Sequence, residues 1–201
     1  MSEPTTLHPV NDDAMRALFL DARTARSFAD APISDAELHR IHELTMLGPT
    51  SMNLQSLRIV FVRAGEAKDR LLTHVADGNK EKAASAPVNA ILAADIDFHD
   101  SLHITNPHSP NARDSFADVE RRTNMARNQA WLAAGYFMMA VRALGYAVGP
   151  MGGFKASALD ADFFSESSWR SICVVNIGKP GENPWRERAP RLSFEQSALI
   201  L

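Results

Sequence analysis

The chain has 201 residues, 45% of them hydrophobic and 22% charged, with a formal charge of -3. That is the composition of an ordinary globular protein with room for one full core, and it leaves no basic footprint for nucleic acid. The single cysteine, Cys173, excludes an internal disulfide and fits a reducing compartment, so a cytoplasmic location is expected.

Residues 1–10 carry Glu3 and two prolines without an apolar run, so no signal peptide is expected. The most apolar stretch, Trp131 to Ala143, is interrupted and flanked by Arg127, Asn128, Gln129 and Arg142, which argues against a membrane span. Asn11 to Asp13 cap a helix that ends near Ala22, leaving Arg23 to Phe28 as a connector. Ser34-Asp35-Ala36-Glu37 has capping-box spacing and opens a second helix with Leu38, Ile41, Leu44 and Leu47 on its apolar stripe. Gly48-Pro49 ends that helix. The loop that follows, to Ser56, is dense in hydroxyls and amides and suits a flat, polar-edged ligand, although a plain helix-to-strand connector is the alternative.

Leu57 to Val62 reads as a strand buried on at least one face. Helices are expected over Gly65 to His74 and Asn79 to Ala86, and a second strand over Val88 to Ala94. Residues 95–116 lack periodicity and are expected to form a lid-like loop or a disordered one. Asp118 to Leu144 is a long central helix closed by Gly145, with Gly135 allowing close packing. Tyr146 to Gly149 is a strand ended by Pro150, Ala156 to Phe164 a weak helix, and Ser171 to Ile177 the last strand. Residues 178–201 form a polar C-terminal extension, and Trp185 and Phe194 suit it to another subunit. The expectation is a single α+β layered domain over residues 1–201.

Several chemistries are missing. There is no G-x-G-x-x-G after a strand, no G-x-x-x-x-G-K-[ST] and no G-x-S-x-G. His39 and His42 share a predicted helix face without a third metal ligand of suitable spacing, so no metal site is expected. Cys173 reads as a small hydrophobe in a strand. No catalytic residue is nominated. What is present is Arg23-Thr24-Ala25-Arg26, two guanidinium forks and a hydroxyl that suit a phosphate monoester; a solvated surface pair is the alternative. Arg186, Arg188 and Arg191 could add positive charge to the same anion. Gly152 and Gly153 would let backbone approach a planar ring, or form a plain turn.

Arg23-Thr24-Ala25-Arg26-Ser27-Phe28 resembles the R-[ST]-x-[RK]-x-F box of FMN-dependent nitroreductase-family proteins. Gly48 to Gln55 is similar to their P-[ST]-[SA]-x-N-x-Q loop. Asn79 matches an asparagine that faces the flavin, Pro150 to Phe154 a turn beside the ring, and Pro190 to Glu195 a closing phosphate-side arginine. Within the family, Asp21 to Thr24, Met46 to Ser51, Arg58 to Phe61, Arg142 to Gly145 and Pro190 to Glu195 look most like the malonic semialdehyde reductase branch. Two departures stand out. Ala22 replaces a frequent arginine, and Gly152 a frequent glutamate whose flavin contact would fall to backbone.

The resemblance implies a small, mostly antiparallel central sheet flanked by helices, with a C-terminal tail exchanged in a homodimer. It implies FMN at the subunit interface, reduced by NADH or NADPH and reoxidised by a small aldehyde, a nitro compound or a quinone. Arg23, Thr24, Arg26 and Arg191 would serve the phosphate and ribityl end. Ser51, Asn53, Gln55 and Asn79 would serve the ring or ribityl chain, the loop at Ser51 reaching the flavin of the partner. Gly152 and Gly153 would lie at the N5 side. Phe98, His99 and Phe116 are expected substrate contacts. A flavin-binding protein without turnover is the alternative of a different class.

Overall fold

The computed structural model describes residues 8–201, so most of the N-terminal stretch expected to lack a signal peptide lies outside the described residues. Helix α1 (Asp12–Met15) is capped by Asn11, whose side chain accepts from Ala14 N at 2.8 Å, and widens into a π-turn over Arg16–Leu20. Helix α2 (Asp35–Met46) starts with the expected capping box between Ser34 and Glu37. Leu38 and Ile41 are buried as expected, but Leu47 is 79% exposed. Thr45 takes the buried place instead, and its hydroxyl donates back to Ile41 O.

Strands β1 (Leu57–Arg63) and β2 (Val88–Asp95) bracket helices α3 (Glu66–His74) and α4 (Asp77–Ser85). After the short helix α5 (Leu102–Thr105) comes α6 (Val119–Ala143), capped by the Asp118 side chain and closed by Gly145 at φ +74°. Strand β3 (Ala147–Met151), helix α7 (Ala156–Phe163) and strand β4 (Trp169–Gly178) complete the sheet, and α8 (Phe194–Ser197) sits in the exposed tail. The strand order is β1-β2-β4-β3, every pair antiparallel.

Both sheet faces are covered. Leu92, Val175 and Ile177 pack with α2 and α6, whereas Ile91 and Val174 pack with Leu71 of α3 and Leu159 of α7. This is why β2 and β4 read as continuous apolar runs in the sequence. Pro150 lies inside β3 rather than ending it. β3 is an edge strand, where a missing N–H costs no ladder bond.

Residues 95–116 differ most from expectation. They hold short helical turns at Phe98–Ser101, Leu102–Thr105 and Ala112–Phe116. Phe98 and Phe116 are 0% and 2% exposed and pack edge-to-face at 4.9 Å between centroids, inside the main core. The segment is anchored by that aromatic pair, which lies too far apart in sequence to leave a period.

Candidate functional site

A cavity of about 460 Å³ opens where the end of the first helix with its connector, the β3 edge and the tail meet. Its wall carries Arg23, Thr24 and Arg26 from the connector after α1, Lys82 from α4, Arg142 from α6, and Arg186, Arg188 and Arg191 from the tail. Glu187 is the only carboxylate among the lining residues. None of these seven cationic side chains makes an ion pair among the described residues, whereas Arg58, Arg63, Arg70, Arg113 and Arg122 elsewhere all do. So much unpaired positive charge around one concavity favours an anion there.

The local fold explains how the arginines gather. Ala25 N donates to Val148 O, stitching the connector to the free edge of β3. The tail is tied down beside it by Arg26 N to Pro184 O and Ser27 Oγ to Glu182 O. Arg23 donates to Leu20 O and Ala22 O, Arg188 to Phe19 O, Leu20 O and Ala22 O, and Arg142 to Leu18 O. Three guanidiniums thus serve the carbonyl end of the first helix, where positive charge is favoured. Burial first, and the charge of Arg188 second, lower the pKa of Arg142.

Next to the cavity, Met151 leads from β3 into Gly152 and Gly153. Gly153 O accepts from Ala76 N at 2.9 Å, and Asn79 Nδ2 reaches it at 3.4 Å. Asn79 Oδ1 in turn accepts from Lys82 Nζ at 2.7 Å. The glycine turn and the first two turns of α4 therefore form one unit, with Lys82 at the cavity wall.

The loop at Ser51 stands apart. Met52, Asn53 and Gln55 have φ of 50°, 55° and 44°, a left-handed run that non-glycine residues adopt at a cost. Side chains hold it there. Ser51 N donates to Gln129 Oε1 at 2.7 Å, Asn53 Nδ2 to Thr105 O at 2.7 Å, and Gln55 Nε2 to Asn53 Oδ1 at 2.8 Å. Gln129 and Arg142 lie on the same helix thirteen residues apart, about 20 Å along its axis. Within one chain, Ser51, Asn53 and Gln55 are thus not brought together with the arginines.

The cavity assembles Arg23, Thr24, Arg26 and Arg191, all expected from sequence. It adds Lys82 and Arg142, which sequence reading missed; the spacing of three between Asn79 and Lys82 was the available signal for the first. Phe98 and Phe116 leave the set of expected substrate contacts, because their rings face each other in the core. His99 is 9% exposed, and its Nδ1 has no hydrogen-bond partner among the described residues. Cys173 is buried, burial pushes its thiol pKa up, and it takes no part in the site. No cluster of metal-ligating residues and no membrane-spanning helix occur among the described residues.

Comparison with known proteins agrees with this architecture. The model of the nitroreductase family matches residues 20–179. A Streptomyces coelicolor protein, provisionally named NADH dehydrogenase/NAD(P)H nitroreductase, is 46% identical over 198 residues, 98% of each chain. One from Leptothrix cholodnii with the same provisional name is 43% identical over 96% of this chain and 99% of its own. Among solved structures, a nitroreductase-like protein of Bacillus subtilis superimposes with a TM-score of 0.82 at 20% identity, covering 95% of this chain and 100% of its own. One from Exiguobacterium sibiricum, solved in complex with FMN, superimposes at 0.81 and 19% identity over 98% and 100%. Family model, relatives and fold agree, and the chain belongs to the nitroreductase family.

Proposed function

We propose that this protein is an FMN-dependent NAD(P)H oxidoreductase that reduces a small aldehyde, malonic semialdehyde to 3-hydroxypropionate. The observation that carries the cofactor reading is the cavity walled by seven unpaired cationic side chains beside a glycine turn. A phosphate monoester brings a charge of about -1.5 to -2 and takes paired donors, which Arg23, Thr24, Arg26 and Arg191 supply. Asn79, Lys82 and the backbone of Gly152 and Gly153 would hold the ring end. FMN, when bound, would supply hydride chemistry, and the chain's own task is to bind, orient and exclude water. The substrate follows from the motif likeness in Asp21 to Thr24, Met46 to Ser51 and Pro190 to Glu195. The surplus positive charge also suits a carboxylate-bearing aldehyde.

The working unit in this reading is a homodimer. Gln129, which holds the Ser51 loop, and Arg142, in the cavity wall, stand about 20 Å apart along α6, so in this reading the loop meets the ligand from a second chain. Among the described residues nothing pairs with the outer edge of strand β1, and exposed, extended Ala198 in the tail is followed by exposed Leu199, Ile200 and Leu201. An edge strand without cover and an apolar segment without a core are complementary halves. On α6, Trp131, Leu132 and Tyr136 are exposed around Gly135, where an added Cβ would meet no atom of the described residues within 4 Å.

A nitro- or quinone-reductase is the second reading, favoured by the names of the relatives. The test is mass spectrometry of the released chromophore, followed by NADH and NADPH oxidation with malonic semialdehyde, nitroaromatics and quinones. Turnover with the aldehyde supports the first reading. Turnover with nitroaromatics or quinones alone selects the second. A yellow protein that NAD(P)H does not bleach would be a flavin binder without turnover.

A further inference from the structure

Helix α4 carries both groups at the ring end of the site, yet little apolar packing holds it. Ala83 is its one buried residue, and no side chain caps its start. What fixes it is polar. Its N-terminal end is pinned to the glycine turn by Ala76 N to Gly153 O at 2.9 Å and by the bridge between Val75 and Phe154. At the other end, helix carbonyls without intrahelical donors need partners.

Two buried side chains from other elements provide them. Lys68 on α3 is 8% exposed, and its Nζ donates to Ala84 O at 2.8 Å and Ala86 O at 2.5 Å. It makes no ion pair among the described residues, so the helix carbonyls are its counter-charge. Asn89 on β2 is fully buried and donates to Ala83 O at 3.1 Å and to Asn176 Oδ1 at 2.7 Å. Asn176 then donates to Met151 Sδ at 3.6 Å, and both Asn176 and Met151 line the cavity. A continuous chain of side chains runs from the cavity floor back to α4.

We infer that Lys68 and Asn89 are positioning residues that set helix α4, and through it Asn79 and Lys82, against the ligand cavity. Neither reaches the cavity itself. They matter because a nine-residue helix with one buried alanine is otherwise held only at its N-terminal end, by the polar contacts to the glycine turn. The inference rests on the FMN reading for its ligand, though not for its geometry.

A double-mutant cycle separates positioning from general stability. FMN dissociation constants are measured for the wild type, Lys68→Met, Lys82→Met and the double variant. Hydrogen exchange is followed on the ligand-free proteins. Lys68→Met is expected to weaken FMN roughly tenfold, the size of one lost charge-assisted contact. The double variant is expected to be weaker than Lys82→Met by clearly less than tenfold, because Lys68 acts in part through Lys82, and exchange is expected to rise across 79–85 while β2 and β4 stay protected. Unchanged exchange over α4, or effects that multiply in the double variant, overturns the inference. Should Lys68→Met not fold, Asn89→Ser takes its place in the same cycle with the same outcomes. A wild type that does not bind FMN sinks the functional reading instead, and the exchange arm still decides the role of Lys68.

Discussion

A β-carbon on Gly153 would stand 2.6 Å from the side-chain nitrogen of Asn79 and an ordinary 3.5 Å from the β-carbon of Ala76, so an alanine at this position must displace the Asn79 amide. That amide joins Gly153 O to the Lys82 ammonium, so its displacement loosens Lys82 as well. Gly153→Ala is therefore expected to weaken FMN by roughly tenfold, equivalent to about 1.4 kcal/mol. Fluorescence titration of the variant checks this, and an affinity equal to that of the wild type would count against it.

Phe98 was expected at the substrate and is found in the core, fully buried against Phe116. Phe98→Ala removes an aromatic ring from a packed interior and is expected to cost about 3–5 kcal/mol of stability. Denaturant unfolding measures that loss. A variant of undiminished stability whose substrate KM has risen would return Phe98 to the site.

The same residue shows what a sequence exposes and what it conceals. Caps and periodicity are local, so α2, with Ser34 and Glu37, and α6, between Asp118 and Gly145, were legible. The packing of Phe98 on Phe116 joins positions eighteen apart across several turns, and no repeat announces it. Pro150 reads as a strand breaker until the strand is known to be an edge. In the site, Arg23, Thr24, Arg26 and Arg191 belong to recognisable motifs. Lys82 and Arg142 look like ordinary polar faces of helices until the fold turns them to one cavity. The Ser51 loop was visible as irregular backbone after Gly48-Pro49, but its distance from the arginines is a property of the fold alone.

The phenol of Tyr146 donates to Glu37 in a short hydrogen bond, and Lys179 lies 4.1 Å over the same ring. Chiefly through Tyr146, and then through Ser34, the Glu37 carboxyl is lowered from 4.5 to about 2. Its contribution is fully present above pH 4.5 and is lost as pH falls through about 2. Burial first, then Glu37, raise Tyr146 from 10.0 to about 12, so its own contribution is present below pH 10.0 and lost as pH rises through about 12. Tyr146→Phe removes the main cause of the Glu37 shift. Urea midpoints between pH 6 and 2.5 are expected to fall less steeply in that variant than in the wild type (pH values roughly chosen to span the window). Identical slopes would show that the pair does not govern acid sensitivity.

The proposed exchange of tails makes the last prediction. Leu199, Ile200 and Leu201 are 77%, 82% and 109% exposed, the largest apolar exposure at either described end of the chain. Such side chains stay in water only at a cost of roughly 25 cal/mol per Å² of apolar surface. Strand β1 offers an edge, unpaired among the described residues, that such a segment can join by backbone hydrogen bonds. Placing a charge in that segment, as Leu199→Asp with Ile200→Asp, removes the apolar gain but leaves the folded core untouched, because neither residue packs on its own chain. Sedimentation is expected to show the wild type as a dimer and the double variant shifted toward monomer. FMN affinity should fall with it if, as proposed, the Ser51 loop meets the ligand from a second chain. A double variant that stays dimeric and keeps its flavin would mean that the tail lies elsewhere, and a wild type that sediments as a monomer with full flavin would remove the two-chain site altogether.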